Sequence, residues 1–138
     1  MSLKRPEAVV LDSWAVLAYF QGEPQSEKIA VLVEDALDRQ MPVFMTVVNA
    51  GEVWYILART ISRAAADSGF TDLQSWGVRI VDIDWQLARQ AADFKSRHRI
   101  SYADAFAAAL AKAKKAELVT GDSEFKALDK EIAIAWLK

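Results

Sequence analysis

Four acidic residues, Asp12, Glu52, Asp104 and Asp122, lie in the motifs VVLDSWAVLAYF, VVNAGEVWYILAR, SYADAFAAALAK and LVTGDSEF. Asp12 and Asp122 stand where an apolar strand turns toward a helix. Glu52 and Asp104 fall in the first turns of helices. Were the four brought together, they would repel one another: two unit charges about 4 Å apart interact by roughly 4 kcal/mol at an effective dielectric near 20. Such a cluster persists with a cation among the acids, or with some of them protonated. The chain has no cysteine and one histidine, His98, so thiolate and multi-histidine metal sites are excluded. Oxygen ligands alone suit a hard ion such as Mg²⁺ or Mn²⁺. A hard divalent ion with room for water is the apparatus of phosphodiester hydrolysis. It lowers the pKa of a bound water and shields the charge that builds on the phosphate.

Each acid also has a structural reading. Ser101 with Asp104, and Asn49 with Glu52, fit capping boxes, and Asp12 and Asp122 fit helix N-caps. Acids favour helix N-termini on electrostatic grounds as well. Asn49 and Thr120 are polar groups placed to orient a carboxylate or a water, and they equally suit a cap and a turn. Ser13, beside Asp12, shares the capping reading.

The elements that must position these residues follow from periodicity. Short β-rich apolar runs at 8–12, 43–46, 78–83, 117–120 and 132–136 read as buried strands. Between them, apolar residues recur at helical spacing. Helices are expected over 13–20, 26–40, 48–61, 62–76 (interrupted near Gly69), 85–97 and 101–115, with a short one at 124–128. Strands that alternate with helices and are apolar throughout predict a parallel sheet covered on both faces. In such folds, sites form beyond the carboxyl ends of the strands, where strand order reverses. All four acids belong to that edge.

The chain of 138 residues suits one domain, 1–138, and no linker or repeat divides it. Its net charge of −2 does not mark a nucleic-acid binder. The distribution is uneven: residues 1–54 hold eight acids and four bases, whereas KSRHR, with Lys95, Arg97 and Arg99, is a basic flank able to face a polyanion. That flank also fits a solvated helix end. No apolar run approaches the roughly 20 residues that span a bilayer. No signal peptide is expected in MSLKRPEAVV, and a cytoplasmic location is the default expectation.

The four motifs, in this order and at this spacing, resemble the PIN domain, and specifically the VapC-type ribonuclease toxins of toxin–antitoxin pairs. SYADAFAAALA followed closely by LVTGD is the most specific part. The resemblance implies an α/β/α sandwich on a central five-stranded parallel sheet. It implies a Mg²⁺- or Mn²⁺-dependent endoribonuclease that hydrolyses RNA through a metal-activated water. The site residues it implies are Asp12, Glu52, Asp104 and Asp122, with metal held mainly by Asp12, Asp104 and Asp122. Glu52 then completes the site, as a ligand through water or as a base. Asn49, Thr120 and Ser13 are the supporting polar residues, and Lys95, Arg97 and Arg99 are positioned to grip RNA. It further implies a homodimer and a cognate antitoxin. Trp14, Tyr19, Trp54 and Tyr55, near the first two acids, suit the groove, the dimer face or the core.

Three other readings compete. A PIN-like module could bind RNA or a partner without cutting. A receiver domain would need an acidic pair at the first strand and a lysine at the fifth, and the chain offers only Asp12 and the terminal Lys138. The triplet DID (82–84) suggests a haloacid-dehalogenase motif, but it follows the third strand and is followed by Trp85. Asp84 is expected to be a helix cap instead.

Overall fold

The computed structural model describes residues 6–137. Residues 1–5, read above for a leader, and the terminal Lys138 lie outside the described residues. Five strands, β1 (Ala8–Leu11), β2 (Val43–Thr46), β3 (Val78–Val81), β4 (Ala116–Thr120) and β5 (Ala133–Trp136), form one sheet in the order β3-β2-β1-β4-β5. Every pairing is parallel. The α-helices are α1 (Ser13–Phe20), α2 (Ser26–Asp38), α3 (Val47–Thr60), α4 (Arg63–Trp76), α5 (Trp85–Arg97) and α6 (Tyr102–Ala113). A 3₁₀ helix spans Ser123–Leu128.

The side-chain alternation of a strand divides the core in two. Along β1, Ala8 and Val10 join α5 and α6 in one apolar cluster, while Val9 and Leu11 face α1 to α4 in the other. Leu118 and Val119 of β4 divide in the same way. The result is a three-layer α/β/α sandwich, as expected. The alanines of α6 explain its place: Asp104 to Leu110 and Ala111 are buried in succession. Small side chains let a helix sit close to the sheet on several sides at once.

Several element ends fall one or two residues from expectation, β3 closing at Val81 and α6 spanning Tyr102–Ala113, and two details have a clear physical reason. Helix α4 runs unbroken through Gly69, because that residue is a packing position. A Cβ there would lie 3.1 Å from Leu57 Cδ1 and 3.6 Å from the Phe20 ring. The helix stops at Gly77, whose φ of 109° is a left-handed C-cap. Helix α3 starts earlier than expected, directly from β2. Thr46 is its N-cap, accepting from Asn49 N–H at 2.9 Å, so the reciprocal box joins Thr46 and Asn49 and leaves Glu52 out.

The strand order reverses between β1 and β4, the two central strands that deliver Asp12 and Asp122. A flavodoxin-like receiver has the order 2-1-3-4-5, so the topology also separates this fold from that rival. Asp84 caps α5 through Leu87 N–H at 2.8 Å, as expected. Among the described residues no helix is long and apolar enough to cross a membrane.

Candidate active site

One residue separates β1 from α1, and it is Asp12. Its Oδ1 accepts from Ala15 N–H at 2.8 Å and caps the helix. Its Oδ2 accepts from the Thr120 hydroxyl at 2.5 Å, a bond across 108 residues of sequence. Thr120 ends the neighbouring strand β4, and its oxygen in turn accepts from Asp122 N–H at 3.0 Å. The threonine thus fixes one acid and the backbone of another. Asp12 is fully buried. Burial pushes its carboxyl up to about 7. The hydrogen bonds from Thr120 and Ala15 oppose that rise, and the negative charges of Asp122 and Glu52 add to it.

Asp104 approaches from the first turn of α6. Ser101 caps that helix and accepts from Asp104 N–H at 3.1 Å, which leaves the carboxylate free to point at the sheet edge. Only 7% of Asp104 is exposed. Burial lifts its carboxyl well above the usual carboxylate range. The Glu124 carboxyl within hydrogen-bonding reach and the charges of Asp122, Asp12 and Glu124 add to the shift. Carboxylate oxygens of Asp104, Asp122 and Glu124 lie within 4.8 Å of one another. Asp122 Oδ1 accepts from Glu124 N–H at 2.9 Å, so the turn that positions Asp122 also brings Glu124 to the rim.

Glu124 was not among the expected site residues. Its signal was the D-x-E spacing in LVTGDSEF, which on its own looks like an acid at a helix start. Glu52, on α3, is half-buried and adds its charge to that felt by Asp12. Among the described residues no hydrogen bond or ion pair ties its carboxylate. The structure therefore brings the four expected acids into one electrostatic neighbourhood and adds a fifth.

Asn49 is fully buried and joins three helices. Its Oδ1 accepts from the Thr46 hydroxyl, and its Nδ2 donates to Ser13 Oγ at 3.3 Å and to the Ala103 carbonyl at 3.1 Å. The Ser13 hydroxyl donates back to the Asn49 carbonyl at 3.2 Å. Ser13 follows Asp12 and Ala103 precedes Asp104. Asn49 and Ser13 thus hold two acid-bearing segments in register and do not themselves face the acids as donors.

The basic flank is placed differently. Arg97 pairs with Asp93 and Glu131 at 3.0 and 2.8 Å, and the arginine holds the Glu131 carboxyl down at about 2. Lys95 donates to the Ile100 carbonyl at 2.9 Å, and Arg99 is exposed. Two of the three expected cations are thus engaged in closing the end of α5. Among the aromatics, Tyr19 stacks on Trp76 and Trp54 donates to Asp67, while Tyr55 is 43% exposed with Arg59 over its ring. The Trp14 ring lies against Gly121, where a Cβ would come within 2.6 Å of Cζ2 and Cζ3. The glycine before Asp122 is a close-approach position.

The donor set fits a hard cation. It is oxygen only, and the three clustered carboxylates are near enough for one ion with ligands at about 2.0–2.6 Å to reach them with small adjustments. Asp104 is buried, and among the described residues its neighbours at the site are other carboxyls, with no cationic side chain to neutralise it.

The PIN domain family model matches residues 9–131, and the chain belongs to that family. Among curated proteins none matches. Solved structures do. The chain is similar to VapC20 of Mycobacterium tuberculosis, a Sarcin-Ricin loop cleaving toxin, with a TM-score of 0.70, 20% identity, and coverage of 91% of this chain and 97% of that one. It is similar to DNA-bound VapBC from Salmonella typhimurium at TM-score 0.73 and 14% identity, covering 95% of this chain and 98% of that one. FitAcB from Neisseria gonorrhoeae matches at TM-score 0.68 and 21% identity, covering 94% and 97%. At these identities the likeness is one of fold.

Proposed function

We infer that this PIN domain is a metal-dependent endoribonuclease and the toxin of a toxin–antitoxin pair. The observation that carries the reading is the convergence of buried Asp12 and Asp104 with half-buried Asp122, none of them in a salt bridge among the described residues. A bound Mg²⁺ or Mn²⁺ supplies Lewis acidity and a water acidic enough to attack a phosphodiester. Asp104, Asp122 and Asp12 would hold it, with Glu124 at the rim. Thr120 keeps Asp12 and Asp122 at a fixed separation. Glu52, untethered and half-buried, is the carboxylate free to orient a water or accept its proton. Asn49 and Ser13 keep α1, α3 and α6 in register, so that these groups meet.

The biological setting rests on the neighbours. VapC20 cleaves the Sarcin-Ricin loop, and several similar structures are toxin–antitoxin complexes. By extension this chain acts in the cytoplasm, pairs with itself and is held by a cognate antitoxin. The test is cleavage of total RNA with Mg²⁺, Mn²⁺ or EDTA. Cleavage is expected with either ion, none with EDTA, and none from Asp104→Asn. Full activity of folded Asp104→Asn, or cleavage in EDTA, would remove the reading. Metal binding by the wild type without cleavage would favour a non-catalytic binding module.

A further inference from the structure

Beside the acids, the sheet edge opens into a cavity of about 500 Å³ lined by Gly121, Ser123, Lys126, Asp129 and Trp136. It adjoins the site through the backbone. Gly121 and Ser123 flank Asp122, and Trp136 is the β5 partner of Thr120, the residue that bonds both Asp12 and Asp122. The Leu137 N–H donates to the Thr120 carbonyl at 2.9 Å, which fixes the end of β5 against β4. The size lies within the roughly 300–1,000 Å³ of small-molecule pockets.

The lining is chemically mixed in a specific way. Trp136 is half-buried and offers part of an indole, Lys126 is exposed at the rim, and Ser123 adds a hydroxyl. A second ammonium, on Lys28 of α2, reaches the Trp136 carbonyl at 3.3 Å. Aromatic faces stack on bases with little regard to sequence, and lysines attract phosphates. Asp129 repels a phosphate but accepts from a ribose hydroxyl or a base amino group. An indole, an ammonium and an acceptor around one cavity match the three parts of a single nucleotide.

We propose that this cavity is a nucleotide subsite of the RNA substrate, holding the nucleotide next to the phosphate that enters the acid cluster. The proposal rests on the ribonuclease reading and deepens it. Charge selects the occupant. An acidic cluster draws a basic tail, but Lys126 beside it opposes one, whereas a polyanionic strand finds in Lys126 the one positive side chain among the cavity's described lining residues. The strand's backbone would be gripped here in place of the engaged Arg97.

The test is the affinity of a short labelled single-stranded RNA, read by fluorescence anisotropy in EDTA so that nothing is cut. Trp136→Ala is expected to weaken binding about tenfold, while Trp136→Phe, which keeps a ring face and the fold, loses roughly threefold or less. Lys126→Ala, at an exposed position that cannot endanger folding, should weaken binding a few-fold and lower the salt dependence by about 0.7 of a counterion. Wild-type affinity and salt dependence in Lys126→Ala and Lys126→Glu would overturn the proposal. So would normal RNA affinity with altered self-association, which would assign the cavity to a second copy of the chain. If Asp104→Asn abolishes cleavage while the cavity variants bind normally, the subsite fails and the nuclease reading stands. If the cavity variants lose affinity while the wild type never cleaves, the subsite stands and the nuclease reading fails.

Discussion

Asp12→Asn should make the metal-free protein more stable at pH 8. The Asp12 carboxyl is raised from 3.8 to about 7, chiefly by burial. Between those values the native state binds more protons than the unfolded chain, so stability falls as pH rises through the window and levels off above about 7. One pKa unit is about 1.4 kcal/mol, so the ionised carboxylate costs roughly 4 kcal/mol by pH 8 and under about 2 kcal/mol at pH 5. Asparagine removes that dependence. It can still accept from Ala15 N–H, but its amide faces the Thr120 oxygen, whose proton loses its acceptor at a cost of about 1–2 kcal/mol. The variant should therefore be close to wild type at pH 5 and about 2–3 kcal/mol more stable at pH 8. Urea unfolding in EDTA at both pH values measures the difference. Saturating Mn²⁺ should erase the advantage, because the ion binds native wild type and not the unfolded chain. A variant equally displaced from wild type at both pH values, or destabilised at pH 8, would refute this reasoning.

Three further outcomes follow. Asn49→Ala should lose about 2–3 kcal/mol in urea unfolding, since it removes the buried link among Thr46, Ser13 and Ala103, and metal affinity should fall with it. Gly121→Ala should cost about 1–3 kcal/mol, because its Cβ would meet the Trp14 ring; the shifted turn should also slow cleavage more than it lowers Tm would suggest. Divalent-ion binding should strengthen from pH 6 to pH 8 and release protons, because Asp12 and Asp104 are both raised; calorimetry in two buffers of different ionisation heat reads the proton count directly.

Periodicity made the sheet and helices legible, and α1 and α5 occur at their expected bounds. The strands were readable because both faces are covered, so their apolar runs are continuous. The start of α3 was not, because Thr46 serves as both the last strand residue and the helix cap, leaving no loop to mark the junction. The acids were legible through their place at strand ends. Glu124 was not, since its side chain matters only once the 3₁₀ turn folds back toward Asp104. Arg97 misled for a related reason: its partner Glu131 lies 34 residues away and follows no local pattern.

Capping and metal-site roles looked like rival explanations in the sequence, and the geometry shows why they are compatible. A carboxylate has two oxygens and several lone pairs. Asp122 uses Oδ1 to cap the 3₁₀ helix, which orients the rest of the group toward Asp104. For Asp104 a separate residue, Ser101, does the capping, so the cap uses neither of its carboxylate oxygens. Asp12 caps α1 with one oxygen and meets Thr120 with the other, and each oxygen still has a lone pair to offer. The caps therefore aim the acids, and the helices they stabilise repay part of the cost of burying charge. Each cap contributes about 1 kcal/mol, whereas ionised Asp12 costs several, so capping alone does not account for a buried acid at this position. Serine or threonine would cap as well without that cost. On the proposed reading a bound cation offsets that excess, which is why the pH dependence of the metal-free protein, more than its Tm, is the decisive measurement of what this edge of the sheet is for.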